Sequence, residues 1–391
     1  MKSKKRIYLD HAATTPIDSR VLSAMQKTAK EIFGNPSSIH KEGVEAKKVI
    51  SEARKDIAAR IGANPDEIIF TGGGTESNNL AIFGAANILD IRCPEYKRKH
   101  IIVSSIEHPS VLLCARELEK RGAEVTFLSV GNNGIVFAKS VAEAIRENTV
   151  LVSVMYANNE IGTIQPIAEI AKVIRHAKHK PLFHTDACQA TNYLDMNVLR
   201  LGVDLMTFNA SKMYGPKGVG ALYVKRGVPL SPLVFGGGQE KGMRSGTENV
   251  SGIAGFAEAM KLAETMKEKE SARLLKLRDF FIKEILKKMP NAVLNGSAKN
   301  RLPNNVNFSF PGLDGEELVI QLDARGIAAS TGSACANIAH DGKVSHVLKA
   351  IGADNDIARG GVRFTLGRGT TKEDMKRTAK ELSDIVKNLR Q

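Results

Sequence analysis

The sequence predicts an α/β protein: a large unit with a mostly parallel seven-stranded sheet, and a smaller α/β unit toward the C-terminus. Three observations carry this. Short apolar runs alternate with helical patterns through the central part of the chain, and near Asn249 the pattern changes to long charged helical stretches. The length, 391 residues, suits one large domain and a smaller companion. A β-α-β rhythm of this kind yields a parallel sheet covered on both faces. Ligands of such sheets bind beyond the carboxyl ends of the strands.

In order, Glu67–Thr71 reads as a strand and Glu76–Leu89 as a helix. The run Ile-Ile-Val-Ser at Ile101–Ser104 is a strand, and Pro109–Lys120 has a helical pattern. Glu124–Leu128 and Val150–Met155 are apolar strands with a helical stretch near Val141–Glu147 between them. Ile167–Ala177 is a helix, followed by strands at Leu182–Thr185, Asp204–Phe208 and Gly220–Val224, the last a candidate antiparallel member. Two charged helices, about Ser251–Glu268 and Glu270–Lys288, then lead to a shorter mixed unit. That unit reads as strand Asn305–Phe310, helix Glu316–Arg325, strand Gly361–Leu366 and helix Lys372–Leu389.

Hydrophobic content of 42 % and charged content of 25 % are those of a soluble globular protein. No apolar run reaches the roughly 18–20 residues of a membrane span. The basic start, Met-Lys-Ser-Lys-Lys-Arg, continues as Ile-Tyr-Leu-Asp-His, which cannot serve as an apolar signal core. A cytoplasmic location is the expectation. The net charge of +14 is spread thinly, with its densest clusters at Lys2–Arg6 and Lys97–Lys99 and no basic stripe interleaved with aromatics. Direct nucleic-acid binding is therefore not expected, although the field can attract acidic protein partners. The four cysteines, Cys93, Cys114, Cys188 and Cys335, make no Cys-x-x-Cys pair and no zinc framework, so no metal site is expected. So few thiols fit a reducing compartment.

The residues that carry chemistry fall at strand ends. Lys212, in Phe-Asn-Ala-Ser-Lys-Met-Tyr-Gly-Pro-Lys-Gly (208–218), follows one strand, and Asp186, in His-Thr-Asp-Ala-Cys-Gln (184–189), follows another. A lysine that can form an imine, with an acid that keeps a pyridine nitrogen protonated, is what a pyridoxal phosphate site requires. Asp186 also reads as a helix N-cap; Gln189 could bond a ring oxygen, and Cys188 reads as packing. Thr-Gly-Gly-Gly-Thr-Glu-Ser (71–77) joins a strand to a helix and reads as a phosphate cup or as an ordinary glycine turn capped by Thr75 or Ser77. His108 stands at a helix start, placed to stack on a flat cofactor or merely to cap the helix.

Tyr-Ala-Asn-Asn-Glu-Ile-Gly (156–162) offers two amides for a carboxylate, or a polar turn. The loop at 236–249 reads as ligand-facing through Arg244, Ser245 and Thr247, or as a linker. Arg363, in an apolar strand, needs an anion: a substrate carboxylate or a structural ion pair. Cys335 lies among small residues in Thr-Gly-Ser-Ala-Cys (331–335), either an accessible nucleophile or a cysteine buried in a tight turn.

These segments together resemble the cysteine desulfurases of the class-V aminotransferase family, fold-type I pyridoxal phosphate enzymes. The resemblance runs from Tyr-Leu-Asp-His-Ala-Ala-Thr-Thr-Pro (8–16) and Phe-Gly-Asn-Pro-Ser-Ser (33–38), through the motifs above, to Arg-Ser-Gly-Thr-Glu-Asn (244–249), Gly-Ser-Ala-Cys (332–335) and Arg-Phe-Thr-Leu-Gly-Arg (363–368). The segment around Cys335 is similar to that of the long-loop group, which serves iron–sulfur assembly and transfer-RNA thiolation.

The resemblance implies that Lys212 holds pyridoxal 5'-phosphate as a Schiff base and moves protons. It implies that Asp186 pairs with the pyridine nitrogen, Gln189 with the ring oxygen, and His108 stacks on the ring. Gly74, Thr75, Asn209 and Ser211 line the phosphate site, and Thr247 reaches the phosphate of the neighbouring subunit, which implies a homodimer. Asn35, Asn159 and Arg363 bind the substrate L-cysteine, and Cys335 takes its sulfur. On this reading residues 18–262 form the large cofactor-binding domain. Residues 1–17 and 263–391 form the small one, with a mobile catalytic-cysteine loop at about 331–344.

The sequence departs from the family at Ser211, where a histidine is usual, at Asn209, where a serine is usual, and at Lys241, more often arginine. The stretch Ala-Asn-Ile-Ala-His-Asp-Gly-Lys-Val (336–344) lacks the usual Glu-Pro-Ser ending. The implied reaction takes L-cysteine to L-alanine and leaves a persulfide on Cys335 for a sulfur-acceptor or iron–sulfur scaffold protein. The alternatives on the same fold are a selenocysteine lyase or another carbon–sulfur lyase, and a catalytically silent scaffold.

Overall fold

The computed structural model describes residues 5–92, 99–332 and 344–391. Cys93, Cys335 and most of the segment expected to be mobile lie outside the described residues. The chain opens with β1 (Ile7–Tyr8), α1 (Ser19–Glu31) and α2 (Lys41–Ile61). The two helices occupy a segment that the sequence reading left unassigned. Their signals were present: Asp18 and His40 cap the N-termini, and Gly62, at φ 69°, closes α2 in the left-handed region that favours glycine. Ile50, Ala53, Ile57 and Ile61 repeat at helical spacing along the buried face of α2.

The main sheet follows. β2 (Ile68–Thr71), α3 (Gly74–Arg92), β3 (His100–Ser104), α4 (Pro109–Lys120), β4 (Glu124–Leu128), α5 (Ala138–Ala144) and β5 (Thr149–Ser153) lead to α6 (Ile167–His176). Then come β6 (Leu182–Asp186), α7 (Val198–Leu201), β7 (Leu205–Asn209) and β8 (Gly220–Val224). The seven strands run in the order β2-β8-β7-β6-β5-β3-β4, and β8 is antiparallel to both of its neighbours while the other pairings are parallel. Apart from the half-buried edge strand β4, the strands are buried on both faces, and successive residues enter different cores. Ile69 and Leu151 pack into one cluster with Ile82 and Ile101, whereas Phe70 and Val152 pack into the other with Ile57, Phe208 and Phe256.

The expectation of two charged helices after Asn249 is corrected: α8 (Val250–Lys288) is one continuous helix of 39 residues, about 58 Å long at 1.5 Å per residue. The charged middle carries neither glycine nor proline. It keeps helical pairs instead, Lys267 with Glu264 at 2.7 Å and Arg273 with Glu270 at 2.9 Å. Its first half buries Ile253, Phe256, Met260 and Ala263 against the sheet. Its second half buries Leu274, Phe281 and Ile285 in a separate cluster that also contains Ile7 and Leu9. That second core is completed by β9 (Val293–Leu294), β10 (Asn305–Ser309), α9 (Gly315–Ala324), β11 (Ile327–Ala328), β12 (Gly361–Thr365) and α12 (Lys372–Leu389), whereas α10 (His346–Ala350) and α11 (Asn355–Arg359) pack Val347, Leu348 and Ala358 in a small separate cluster with Ile106, Met155 and Ile161. β1 pairs in parallel with β11, so the N-terminal segment belongs to the second core before it crosses to the main sheet.

Asp18 pins that crossing. Its carboxylate accepts the Arg20 backbone N–H at the start of α1 at 3.0 Å and ion-pairs with Arg20 and Arg368, each at 2.7 Å. The hydrogen bond from the Arg20 side chain, with help from the backbone and the two positive charges, pulls its pKa down to about 2. A folded-state pKa below the ordinary 3.8 stabilises the fold above that value, and the contribution fades as pH falls toward 2. Asp18→Ala should therefore lower stability by about 1 kcal/mol at pH 7, the usual cost of a lost cap. Urea denaturation should show that deficit shrinking between pH 4 and pH 2.

Candidate active site

The carboxyl ends of β2, β3, β5, β6 and β7 open into one cleft of about 730 Å³. At one end β2 passes through Gly72 and Gly73 into α3. A Cβ on Gly74 would lie 2.8 Å from Cys188 Sγ and 3.0 Å from Asn209 Nδ2, so only glycine lets the helix start sit this close to the strand ends. The first-turn N–H groups of a helix have no partner within it, and here they come to the cleft wall beside Thr75. Glu76 accepts the Gly72 N–H at 2.9 Å and ion-pairs with Arg244 at 2.9 Å, which docks the glycine-rich loop against this turn.

Asp186 ends β6 and is 6 % exposed. It accepts the Cys188 backbone N–H at 2.9 Å and Asn78 Nδ2 at 2.7 Å. His108 caps α4, where its Nδ1 accepts the Ser110 N–H at 3.1 Å, and it faces the same cleft. Capping and a cleft position therefore coexist. Burial lowers the His108 pKa, and the charges of Lys212, His346 and Arg363 lower it further, against the pull of Asp186. Gln189 donates to the Ala12 carbonyl at 3.0 Å.

Lys212 follows β7 in a turn that the N-terminal segment holds from outside. Thr15 donates both its N–H and its hydroxyl to the Ser211 carbonyl at 3.0 Å, Asn192 donates to the Lys212 carbonyl at 2.7 Å, and Lys212 Nζ donates to the Ala13 carbonyl. Two residues on, Tyr214 sits at φ 63°, a conformation costing of order 1 kcal/mol for a non-glycine residue. Its N–H bonds Thr15 Oγ1 at 2.7 Å, its hydroxyl accepts the Arg368 N–H at 2.8 Å, and the Arg368 guanidinium lies 4.0 Å over its ring.

The far wall is built from the second core. Arg363 on β12 is 5 % exposed, donates to the Asn159 carbonyl at 3.0 Å and ion-pairs with Asp10 at 2.7 Å. Both readings of this arginine are thus realised, since it has a structural partner and also lines the cleft. Glu160 lies beside it, and its carboxylate accepts the Ser345 hydroxyl at 2.5 Å.

Of the residues singled out from sequence, Gly74, Thr75, His108, Asn159, Asp186, Gln189, Asn209, Lys212 and Arg363 line this cleft. Ser211 is set by its carbonyl in the lysine turn. Asn35 is exposed, and its side chain accepts the Ser37 N–H at 2.9 Å. Thr247 is exposed and lines a smaller pocket of about 180 Å³ with Gly72 and Arg244. Sequence reasoning missed Asp10, Asn78, Ser110 and Glu160, which share the cleft wall. Asn78 lies one helical turn beyond Gly74, a spacing that puts it on the same face of α3.

Two buried groups beside the cleft are kept uncharged. Burial pushes the Glu107 carboxyl up to about 8, although Ser104 Oγ at 2.5 Å and the Met155 N–H at 2.7 Å both donate to it. His184, bonded to Ser153 and Thr207 inside the sheet, is lowered to about 4 by burial. The described thiols are also held protonated by burial, Cys114 near 12 and Cys188 well above its ordinary value.

A parallel-sheet fold with a glycine turn, a lysine and a carboxylate meeting at its carboxyl edge defines the class of protein. The chain belongs to the aminotransferase class-V family, whose model matches residues 7–378. It is 49 % identical over 387 residues to cysteine desulfurase IscS of Dictyoglomus turgidum, covering 99 % of this chain and 96 % of that one. Among solved structures it is similar to a NifS-like protein, at a TM-score of 0.91 and 36 % identity over 98 % of this chain and 100 % of the other. It is likewise similar to SspA in complex with cysteine, at a TM-score of 0.80 and 38 % identity over 92 % of this chain and 98 % of the other.

A carboxyl raised from 4.5 to about 8 on folding holds its proton in the folded state while the unfolded chain has lost it. Stability is then full below pH 4.5 and falls as pH rises through 8, by up to about 1.4 kcal/mol per pH unit. Glu107→Gln should remove that slope. Denaturant melts of both proteins between pH 5 and pH 8 should show the variant gaining on the wild type as pH rises.

Proposed function

We propose that this chain is a cysteine desulfurase that converts L-cysteine to L-alanine and leaves the sulfur as a persulfide on Cys335. The observation that carries the reading is the convergence of Lys212, Asp186, His108 and Arg363 on one cleft. The relative bound to cysteine supports the choice of substrate.

The residues present fit pyridoxal 5'-phosphate. Gly74 provides a cradle that a Cβ would fill, and Arg363 Nε is a buried donor with no hydrogen-bond partner among the described residues. Such atoms mark places where a bound group completes the bonding. Gly74, Thr75 and Asn209 would take the phosphate, with Ser211 beside them. Asp186 would meet the pyridine nitrogen, Gln189 the ring oxygen and His108 the ring face, and Lys212 would carry the Schiff base. When bound, the cofactor supplies an electron sink for bonds at the substrate α-carbon.

The chain's own groups do the rest. Arg363, with Asn159, holds the substrate carboxylate, and the Lys212 amine moves the α-proton. The Cys335 thiolate attacks the substrate sulfur: a sulfur–sulfur bond forms as the carbon–sulfur bond breaks. Gly332, three residues before Cys335 in sequence, lines the cleft. The two described thiols are poor candidates because burial holds them protonated.

The two hydrophobic clusters support a division into residues 18–262 and a smaller unit of 1–17 with 263–391. Thr247 and Asn35 lie away from the cleft of their own chain, and near them Phe33, Ile39 and Phe235 are 78 %, 98 % and 81 % exposed. A homodimer in which these residues complete the partner's site accounts for both facts. The persulfide would serve iron–sulfur assembly or transfer-RNA thiolation proteins in the cytoplasm. Among the described residues no helix is long and apolar enough to cross a membrane.

Incubation with L-cysteine should yield alanine, and sulfide in the presence of reductant, with a one-sulfur mass gain on the Cys335 peptide. Cys335→Ala should reduce alanine formation at least about 100-fold, some 2.7 kcal/mol of barrier. Undiminished turnover of L-cysteine in that variant would overturn the mechanism.

A further inference from the structure

A buried chain of hydrogen bonds links two residues of the cleft through two that the sequence reading did not single out. Asn78, 1 % exposed, donates from Nδ2 to Asp186 Oδ2 at 2.7 Å and to Ser110 Oγ at 2.8 Å. Ser110 Oγ lies 2.8 Å from His108 Nδ1, and the Ser110 backbone N–H points at the same nitrogen from 3.1 Å.

One contact sets the direction. The Ser110 backbone N–H can only donate, so His108 Nδ1 is the acceptor and the neutral ring carries its proton on Nε2. The Asn78 amide turns its NH₂ toward Asp186 and Ser110 Oγ, and the serine hydroxyl is then placed to donate its own proton to the same Nδ1.

We propose that Asn78 and Ser110 are positioning residues that lock His108 as the Nε2–H tautomer, so that the ring offers the cleft an N–H rather than a lone pair. His108 then serves as a hydrogen-bond and proton donor to the bound reactants and not as their general base. The lock also couples His108 to Asp186 through Ser110, since Asp186 and Ser110 accept from one NH₂ group. This rests on the desulfurase reading only for its consequence, because the tautomer is a property of the chain itself. The charged and titratable groups facing the ring are Asp186 from β6, Lys212 from the turn after β7, His346 from α10 and Arg363 from β12, with Glu107 adjoining it in sequence.

The test is long-range proton–nitrogen NMR of the cofactor-free protein labelled with [¹⁵N]histidine, with His108 assigned by its loss in His108→Asn. The wild type should show an unprotonated Nδ1 and a protonated Nε2, titrating below the ordinary value of about 6.5. Ser110→Ala removes a donor that favours the neutral ring. It should raise the apparent pKa by at least about half a unit, a threefold gain in proton affinity, while the Ser110 backbone N–H, which survives the substitution, keeps the proton of the neutral ring on Nε2. Ser110→Thr should restore the wild-type titration, and Asn78→Ala should shift the ring in the same direction as Ser110→Ala without touching it.

In the cofactor-loaded enzyme, Ser110→Ala should lower kcat about tenfold with little change in KM. A wild-type ring protonated on Nδ1, or doubly protonated at pH 7.5, overturns the proposal even if no variant folds. So does an unchanged titration in Ser110→Ala. Failure of the wild type to make alanine from L-cysteine would sink the desulfurase reading and leave the tautomer result standing.

Discussion

A carboxylate buried at the end of a central strand is the constraint on which this site turns. Asp186 is costly to bury unless something answers its charge. The protein answers in part, with a backbone N–H and one face of the Asn78 amide. Both are neutral donors, and the carboxylate still lines an open cleft. A cationic ring nitrogen would complete its environment. The same carboxylate orients the Asn78 amide, which donates to the Ser110 hydroxyl beside His108. One charge thus organises the polar groups on its side of the cleft, while Lys212 and Arg363 supply positive charge on the others.

The lysine is positioned by a different logic. Its turn is strained at Tyr214, and the contacts that hold the strain come from Thr15 in the N-terminal segment and Arg368 in the second core. Residues 10–18 are therefore more than a leader into the fold. They carry the carbonyls that meet Lys212 and Gln189, the acid that meets Arg363, and the cap that ties α1 to Arg368. The cleft is closed on one side by the sheet and on the other by β12, and this short segment joins the two. The continuous α8 does the same from the back, with one end in each core.

The parallel sheet was legible because its strands are buried on both faces and so read as unbroken apolar runs, and α4, β4, β8 and α12 fall where those runs and helical patterns placed them. The charged middle of α8 misled, because a solvated stretch between two cores looks like a linker when the cores are not yet known. The glycine turn, Asp186, His108 and Lys212 were legible because they recur together at the carboxyl ends of predicted strands, and Arg363 because a charged side chain stands within an apolar one, although most of them also had a structural reading when taken alone.

From the sequence alone came the α/β class, the strand ends as the place of the site, and the residues whose side chains carry reactive or charged chemistry. Only the tertiary structure decided which of them share a cleft, and that Asp10, Asn78, Ser110 and Glu160 stand among them. The physical reason is that a hydrogen bond depends on distances of about 3 Å and on direction. Asn78 and Asp186 are far apart along the chain and side by side in space, and the spacing of either in its own helix or strand says nothing of the other until the sheet has brought them together.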